Sequence, residues 1–267
     1  MKAKEILAHL WSIGPWIDKE TTVDKIIVGD PEKEIKSIVT MWMSTFENVR
    51  EAVRMGVDMI ITHEPTFWEH ANELETMNAE AFGGLGKAKR KFIEESGIVI
   101  LRSHDVWDKV PDIGITWSWA KFLGFTSKPV AMADHGFVHR YDIEPTTLGK
   151  FAEAVAVKTA AVGEPVLQVF GNLTQTVSRV GIGTGCAGKP LEIYDLGCDV
   201  AIVCDDATSY WHDIAPAKDA DFAVIRVNHG TSEEPGMASL ADYLNKTFPD
   251  INSRYMTPAR CYNSVGA

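Results

Sequence analysis

The sequence predicts an α/β fold with a mainly parallel sheet core and an inserted smaller α+β domain. Short apolar runs of strand length alternate with amphipathic helical segments up to residue 126 and again after residue 195, as expected for parallel βαβ units. Between them, residues 127–195 contain short alternating segments around one helical stretch. We therefore expect a core domain formed by residues 1–126 plus 196–267 and an inserted domain formed by residues 127–195.

The composition of the 267-residue chain is that of a folded protein with well-buried cores. Hydrophobic residues make up 45% and charged residues 24%, which excludes a disordered chain. The formal net charge is −11, and no Lys/Arg cluster concentrates positive potential. Both features oppose binding to a phosphate backbone, so nucleic acid is not the expected partner.

The sequence also predicts a cytoplasmic protein that makes no contact with a membrane. No apolar run approaches the roughly 18 residues that can span a bilayer. The N-terminal segment carries Glu5 and no small-residue cleavage pattern, which favours an amphipathic helix over a signal peptide. The four cysteines, Cys186, Cys198, Cys204 and Cys261, form no CxxC pair, as expected for reduced thiols.

Hydrophobic periodicity and turn residues define the elements of the core. A βαβ unit with parallel strands is predicted over residues 34–62, where Gly56 ends the helix before an apolar strand. In order, we predict helix 3–13, strand 26–31, strand 34–42, helix 45–55, strand 57–62, helix 69–95 broken at Gly83–Gly86, strand 98–103 and helix 113–122.

The remaining elements divide between the inserted domain and a return to the parallel core. For the inserted domain we predict strand 136–141, helix 147–157, strand 166–170 and strand 178–182. For the return to the core we predict strand 200–204, a short helix at 209–215, strand 222–227 and helix 234–247.

Three predicted core strands end in a histidine accompanied by a carboxylate. The pairs are His63 with Glu64, His104 with Asp108, and His229 with Glu233. The functional crevice of an open α/β sheet lies at the carboxyl ends of its strands, so these side chains are expected to meet in one cavity. Three imidazoles and three carboxylates exceed the needs of one tetrahedral ion and suit two divalent ions. The sequence thus predicts a dinuclear metal centre.

Each pair taken alone has a simpler structural explanation. A histidine at a strand end is more often an ordinary polar residue than a ligand. Glu233 precedes Glu234, and acidic residues are favoured at a helix N-terminus in any case. Asp108, three residues before Pro111, could organise a turn. The recurrence of the pattern at three strand ends favours metal binding.

The sequence around these three histidine–carboxylate pairs, together with Gly230 and the segment from Glu233 to Met237, resembles the Nif-three-like family, also described as the GTP cyclohydrolase I type 2-like family. The resemblance covers nearly the whole chain, and the three histidine–carboxylate pairs are its specific part. It implies an interleaved two-domain α/β fold, two divalent ions per chain and often a homohexamer built as a trimer of dimers. The residues that match family metal positions are His63, His104, Asp108, His229 and Glu233.

Glu64 departs from the family pattern, which usually has a second histidine in a His-His-Pro motif where this chain has His63-Glu64-Pro65. As a ligand, Glu64 would favour manganese, iron or magnesium over zinc. If it instead contacts a ligand without binding an ion itself, it would leave one metal site weakened. The segment Cys204-Asp205-Asp206 also departs from the family, and we expect Asp205, Asp206 and His212 to support the cleft.

Two further features have competing explanations. Residues 183–188 satisfy G-x-G-x-x-G, but residues 189–196 are short for the crossover helix of a dinucleotide-binding unit, and a tight turn or an approach to the metal cleft explains the glycines equally well. Trp68, Trp107 and Trp211 lie near site residues in sequence. They are predicted to pack in the core, or alternatively to stack on a flat heterocyclic substrate.

The function predicted from these observations is dinuclear metal-dependent hydrolysis of a small molecule. Two ions, of Zn, Fe, Mn or Mg, would activate a water, and Glu64, if it is not a ligand, is the candidate catalytic base. The resemblance suggests nucleotide ring opening of the GTP cyclohydrolase type, and phosphoester hydrolysis suits two metals as well. The alternative is a non-catalytic protein for metal binding, metal delivery or oligomeric scaffolding.

Overall fold

The computed structural model describes residues 1–71, 73 and 81–257. Its strands are β1 (Ile26–Val28), β2 (Ser37–Met41), β3 (Met59–Thr62), β4 (Val99–Arg102), β5 (Ala131–Ala133), β6 (Val138–Thr147), β7 (Gln168–Phe170), β8 (Thr176–Gly183), β9 (Val200–Cys204), β10 (Ala223–Val227) and β11 (Asn252–Tyr255). Its α-helices are α1 (Ala3–Ile13), α2 (Phe46–Arg54), α3 (Ala81–Ser96), α4 (Asp105–Lys109), α5 (Ile115–Leu123), α6 (Leu148–Ala160), α7 (Pro190–Asp195), α8 (Ala215–Asp219) and α9 (His229–Thr247).

The chain forms two compact units, of which the first contains Met1–Gly114 and the described residues from Met237 onward. Its sheet has the strand order β1-β4-β3-β2-β11. Every neighbouring pair is parallel except β1 and β4. This arrangement confirms the predicted mainly parallel sheet, and β2, α2 and β3 form the predicted βαβ unit. The apolar residues Val39, Ile60 and Ile100, from three neighbouring strands, pack in one buried cluster.

Helix boundaries in the first unit follow the capping residues of the sequence. The side chain of Thr45 accepts a hydrogen bond from the backbone N–H of Asn48 at the start of α2, and Gly56, with φ of 68°, follows its end. Gly83 and Gly84 have φ of 65° and 77° within α3. These are left-handed values, so the predicted break at these glycines is present in the backbone.

The second unit contains Ile115–Gly236. Its sheet has the strand order β5-β6-β8-β9-β10-β7, in which β8, β9 and β10 are parallel and the other pairs antiparallel. The six-residue helix α7 connects the parallel strands β8 and β9, so this short segment does serve as a crossover. Val180, Ile202 and Ile225, from three neighbouring strands, are buried in one cluster.

The division into units differs from the predicted one. We expected the chain to return to the first sheet near residue 196, but β9 pairs with β8, and β10 pairs with β9, in the second sheet. The return occurs at Met237. The cause is that β9 is apolar throughout and β10 is apolar except at Arg226. Such strands fit any buried parallel position, and hydrophobic pattern alone does not choose the sheet.

Among the described strands and α-helices, four short ones were absent from the sequence prediction: β5, β11, α4 and α7. Helix α9 begins at His229, five residues earlier than predicted. Within the part of the chain that the structure describes, no helix combines the length and the apolar character needed to cross a membrane.

Candidate metal centre

A first ligand group lies in the first unit, at the carboxyl ends of the neighbouring parallel strands β3 and β4. It consists of His63, His104 and Asp108, whose donor atoms lie within 4.8 Å of one another. Asp108 Oδ1 is 3.3 Å from His63 Nε2, and Asp108 Oδ2 is 3.1 Å from His104 Nδ1. Atoms bound to one ion at about 2.1 Å are separated by roughly 3 to 3.5 Å. The donor types and their spacing therefore fit a divalent ion.

Local backbone structure places these three side chains together. His104 precedes helix α4, and the N–H of Asp108 donates to the His104 carbonyl at 2.9 Å, so the two side chains share one face. The buried carboxylate of Asp24 accepts backbone N–H groups of His104, Asp105 and Val106 at 2.6 to 2.9 Å. Asp24 thereby satisfies the N-terminus of α4 and fixes the position of His104.

The side chain of His104 also has a carboxylate neighbour outside the ligand group. Asp105 Oδ1 lies 3.0 Å from His104 Nδ1, while Asp105 Oδ2 accepts the hydroxyl of Thr22 at 2.8 Å. On the other side, the ring of His104 stacks on His63, with centroids 4.4 Å apart and planes inclined by 15°. These contacts hold the imidazole in one orientation, as is common for metal ligands.

The electrostatic balance of the first ligand group favours positive charge at its centre. Burial acts to raise the pKa of Asp108, but the adjacent His104 and His63 hold that pKa below its usual value. Burial acts to lower the pKa of His104, yet the carboxylates of Asp108, Asp105 and Glu64 together outweigh it, and the pKa is raised. An anionic carboxylate that stabilises a proton on a neighbouring imidazole equally stabilises a cation in its place.

Glu64 lies beside this group and close to a buried arginine. Glu64, His70 and His104 offer donor atoms within 4.8 Å of one another, and Glu64 Oε2 is 3.9 Å from the guanidinium of Arg102. Arg102 is fully buried and donates to the carbonyls of His63 and His70 at 3.1 and 2.8 Å. It thus fixes the segment that carries Glu64.

A second ligand group lies in the second unit and is centred on His229. Its Nε2 is 3.0 Å from Glu233 Oε2, and its Nδ1 is 2.8 Å from Asp206 Oδ2. His229 and Glu233 are four residues apart on α9 and therefore share a helix face. The backbone N–H of His229 donates to Asp205 Oδ1 at 2.8 Å, which fixes the start of the helix.

The glycine-rich segment 183–188 approaches the second ligand group. A Cβ on Gly185, whose φ is 55°, would lie 2.5 Å from Glu233 Oε1 and 3.0 Å from His229 Nε2. Only glycine allows the backbone to come this close. Of the two explanations left open for these glycines, the approach to metal-type residues is the one this geometry supports. Cys186 follows at the same turn.

The six predicted ligands therefore fall into two sets. His63, Glu64, His104 and Asp108 belong to the first unit, and His229 and Glu233 belong to the second. We expected three strand ends of a single sheet to carry these ligands. This is wrong for His229 and Glu233, because the strand that precedes them, β10, lies in the second sheet. Their meeting in one cavity stays a prediction.

Of the residues near the two ligand groups, some have the predicted environment, one does not, and others were not predicted. Asp205 and Asp206 contact His229 as expected of supporting groups, whereas His212 is exposed and its backbone N–H donates to Ser209. Sequence reasoning missed His70, which follows Pro65 in a segment without periodicity. It also missed Asp24, whose contacts with the start of α4 arise only in the fold, and Asp105, whose carboxylate lies beside the ring of His104.

The tryptophans near the ligands have different environments. Trp107 is fully buried and packs against Tyr243, with ring centroids 5.4 Å apart, so its predicted core role is confirmed. Trp68 and Trp211 are 45% and 72% exposed. Their stacking on a substrate stays a prediction.

The fold and the two ligand groups define an α/β protein with histidine and carboxylate donors suited to divalent ions. The sequence model of the Duf34/NIF3 family (NGG1p interacting factor 3) matches residues 1–258. The chain belongs to this family, which confirms the resemblance that its histidine–carboxylate pairs indicated.

Individual relatives and solved structures agree with this assignment. A Clostridium perfringens protein named GTP cyclohydrolase 1 type 2 homolog is 26% identical over 253 residues, covering 91% of this chain and 90% of that protein. A protein of the same name from Chlamydia pneumoniae is 23% identical over 261 residues, covering 93% and 95%.

Two solved structures show the same fold at low sequence identity. Staphylococcus aureus protein SA1388 superposes with a TM-score of 0.80 at 18% identity, covering 99% of both chains. Reduced HcgD from Methanocaldococcus jannaschii gives a TM-score of 0.72 at 20% identity, covering 96% of this chain and 97% of that one. These similarities establish the mixed α/β architecture.

Proposed function

We propose that this protein is a metal-dependent hydrolase that binds two divalent ions per chain. The observation that carries the proposal is the buried Asp108 carboxylate, which faces His63 on one side and His104 on the other. A buried carboxylate between two imidazoles is a costly arrangement unless a cation or proton compensates it. His229 and Glu233 provide the second set of donors.

The side chains around the first ligand group have distinct proposed roles. His63, His104 and Asp108 would hold an ion, which supplies Lewis acidity and lowers the pKa of a bound water. Glu64, whose side chain is 12% exposed, would serve as the proton acceptor or as a further ligand. Arg102 positions Glu64 by holding the backbone that precedes and follows it.

The proposed substrate is a small molecule, with nucleotides as the first class to test. The names of the relatives refer to GTP cyclohydrolase chemistry, which supports hydrolytic opening of a nucleotide ring. Phosphoesters are the second class, because two ions can stabilise both the attacking and the leaving oxygen. We also propose a cytoplasmic homohexamer, as implied by the family resemblance, which light scattering of the purified protein would test.

The experiment begins with metal analysis of the purified full-length protein. We expect two ions per chain, fewer in His229→Ala, and no change in His135→Ala, a control at an exposed histidine outside both ligand groups. Loading with Mn²⁺ tests whether the two ions share one cavity, because ions about 3.5 to 4 Å apart give a spin-coupled spectrum. Uncoupled ions would contradict a dinuclear centre.

Activity is then measured with nucleotides and phosphoesters under Mn²⁺, Fe²⁺, Zn²⁺ and Mg²⁺. Hydrolysis that requires metal and is lost in Glu64→Gln, with metal content retained, supports the enzyme and a proton-transfer role for Glu64. Two tightly bound ions without turnover of any substrate would instead support the alternative of metal binding or delivery. Metal content unchanged by His229→Ala would refute the proposed ligand set.

A further inference from the structure

The turn that follows β8 places a cysteine beside the second ligand group. Gly185 takes a left-handed φ of 55°, and a Cβ at this position would lie 3.0 Å from His229 Nε2. The next residue, Cys186, is exposed and forms no disulfide with the other cysteines that the structure describes. Its Sγ, a carboxylate oxygen of Asp206 and a ring nitrogen of His229 lie within 4.8 Å of one another. A thiol, a carboxylate and an imidazole thus lie close enough together to be ligands of one ion.

The ring of His229 presents its two nitrogens to two different environments. Nδ1 faces Asp206, whose side chain is 61% exposed, and Nε2 faces Glu233, whose side chain is 4% exposed. A neutral imidazole has one nitrogen that carries hydrogen and one that can bind an ion. The tautomer therefore decides which nitrogen is the ligand, while the other donates its N–H to the carboxylate beside it.

We propose that Cys186, Asp206 and His229 Nδ1 form a thiolate-containing site for a thiophilic divalent ion such as Zn²⁺. This inference rests on the proposed metal role of His229 and deepens it, because one ring then serves two ion positions. A harder ion binds Nε2 together with Glu233, with Asp206 accepting the Nδ1–H. A thiophilic ion binds Nδ1 on the exposed side, and Nε2–H donates to Glu233.

The donor set of the exposed side is suited to an ion of intermediate softness. Thiolate sulfur favours zinc-like ions over manganese and magnesium, which prefer oxygen. Three protein ligands leave a fourth position for water or an incoming ligand. Binding converts the Cys186 thiol to a thiolate and releases its proton to the solvent. The metal preference of the second ligand group thus depends on Cys186 as well as on Glu233.

Cobalt substitution of the full-length protein tests this inference directly, because Co²⁺ bound to a thiolate has a near-ultraviolet charge-transfer band. We expect this band in the wild type and in Glu233→Gln, and its loss in Cys186→Ser. The control Cys198→Ala changes a buried thiol that does not belong to the cluster and should keep the band. Asp206→Asn should weaken Co²⁺ binding by roughly tenfold or more, as loss of a carboxylate near a metal does.

Manganese binding provides the opposite comparison. Cys186→Ser should leave Mn²⁺ affinity unchanged to within about twofold, because Mn²⁺ uses oxygen donors, while Glu233→Gln should reduce it. Co²⁺ binding without a thiolate band, or a band that survives in Cys186→Ser, overturns the inference and leaves the proposed function standing. A wild type that binds neither Co²⁺ nor Mn²⁺ overturns both.

Discussion

Replacing Gly185 with alanine tests how closely the glycine-rich turn approaches the second ligand group. The added Cβ would lie 2.5 Å from Glu233 Oε1, where ordinary contact begins near 3.4 Å, so the carboxylate or the turn must move by about 0.9 Å. The left-handed φ of 55° costs a further 1 to 2 kcal/mol, approximately, for a residue with a Cβ. Displacing a ligand by this distance can cost on the order of 100-fold in function.

Gly56→Ala is the matched control for this substitution. Gly56 has a similar φ of 68°, but a Cβ there would meet nothing within 4 Å. Backbone strain should cost each variant about 1 to 2 kcal/mol of unfolding free energy, and Gly185→Ala should lose at least as much as Gly56→Ala in chemical denaturation without metal. Only Gly185→Ala should bind Mn²⁺ more weakly in a calorimetric titration, by tenfold or more, which corresponds to about 1.4 kcal/mol. Equal Mn²⁺ affinity in the two variants would refute the close approach of the turn.

Three further substitutions test other parts of the structure. Asp108→Asn should lower the metal content of the purified protein by about one ion per chain, because a two-metal site loses the anionic partner of one ion, whereas Asp142→Asn, at an exposed carboxylate, should not. Glu64→His should shift metal preference from Mn²⁺ towards Zn²⁺ in competition titrations; unchanged preference and occupancy would place Glu64 outside the ligands. Burial lowers the pKa of Lys89 from 10.5 to about 8. Between these two pH values the unfolded chain therefore binds more protons than the folded chain, and the free energy of unfolding rises with pH. The stability of the wild type relative to Lys89→Met should therefore increase by about 3 kcal/mol between pH 8 and 10.5, as measured by denaturation; a constant difference would contradict this pKa.

Glu64 is the residue whose role depends most on its surroundings. The sequence distinguishes it only by its departure from the His-His-Pro pattern of the family. In the fold it lies between His104 and the buried guanidinium of Arg102. Arg102 also holds the backbone on both sides of Glu64, so an Arg102 variant would alter several contacts at once. Substitution of Glu64 itself is therefore the cleaner experiment.

Hydrophobic period and capping residues determined most helices and strands of this protein. The amphipathic face of residues 3–13, the Gly56 cap and the apolar strands before His63 and His104 all fold as the sequence predicts. These features depend on interactions within a few residues, which a local pattern records. The pairing of histidines with carboxylates four residues later is local in the same sense, because it follows from helix geometry.

Only the tertiary structure decided which sheet each strand joins and which groups surround each ligand. Strands β9 and β10 were predicted to belong to the first sheet, yet β9 pairs with β8 and β10 with β9 in the second sheet. Strand pairing depends on contacts between residues distant in sequence. In the same way, Asp24 meets the start of α4 across about 80 residues of chain, and Cys186 meets His229 through a turn that only glycine permits. The sequence by itself indicated six donor residues, because each lies at or just after the end of an apolar strand, and only the fold revealed their partners and the further donors His70 and Cys186.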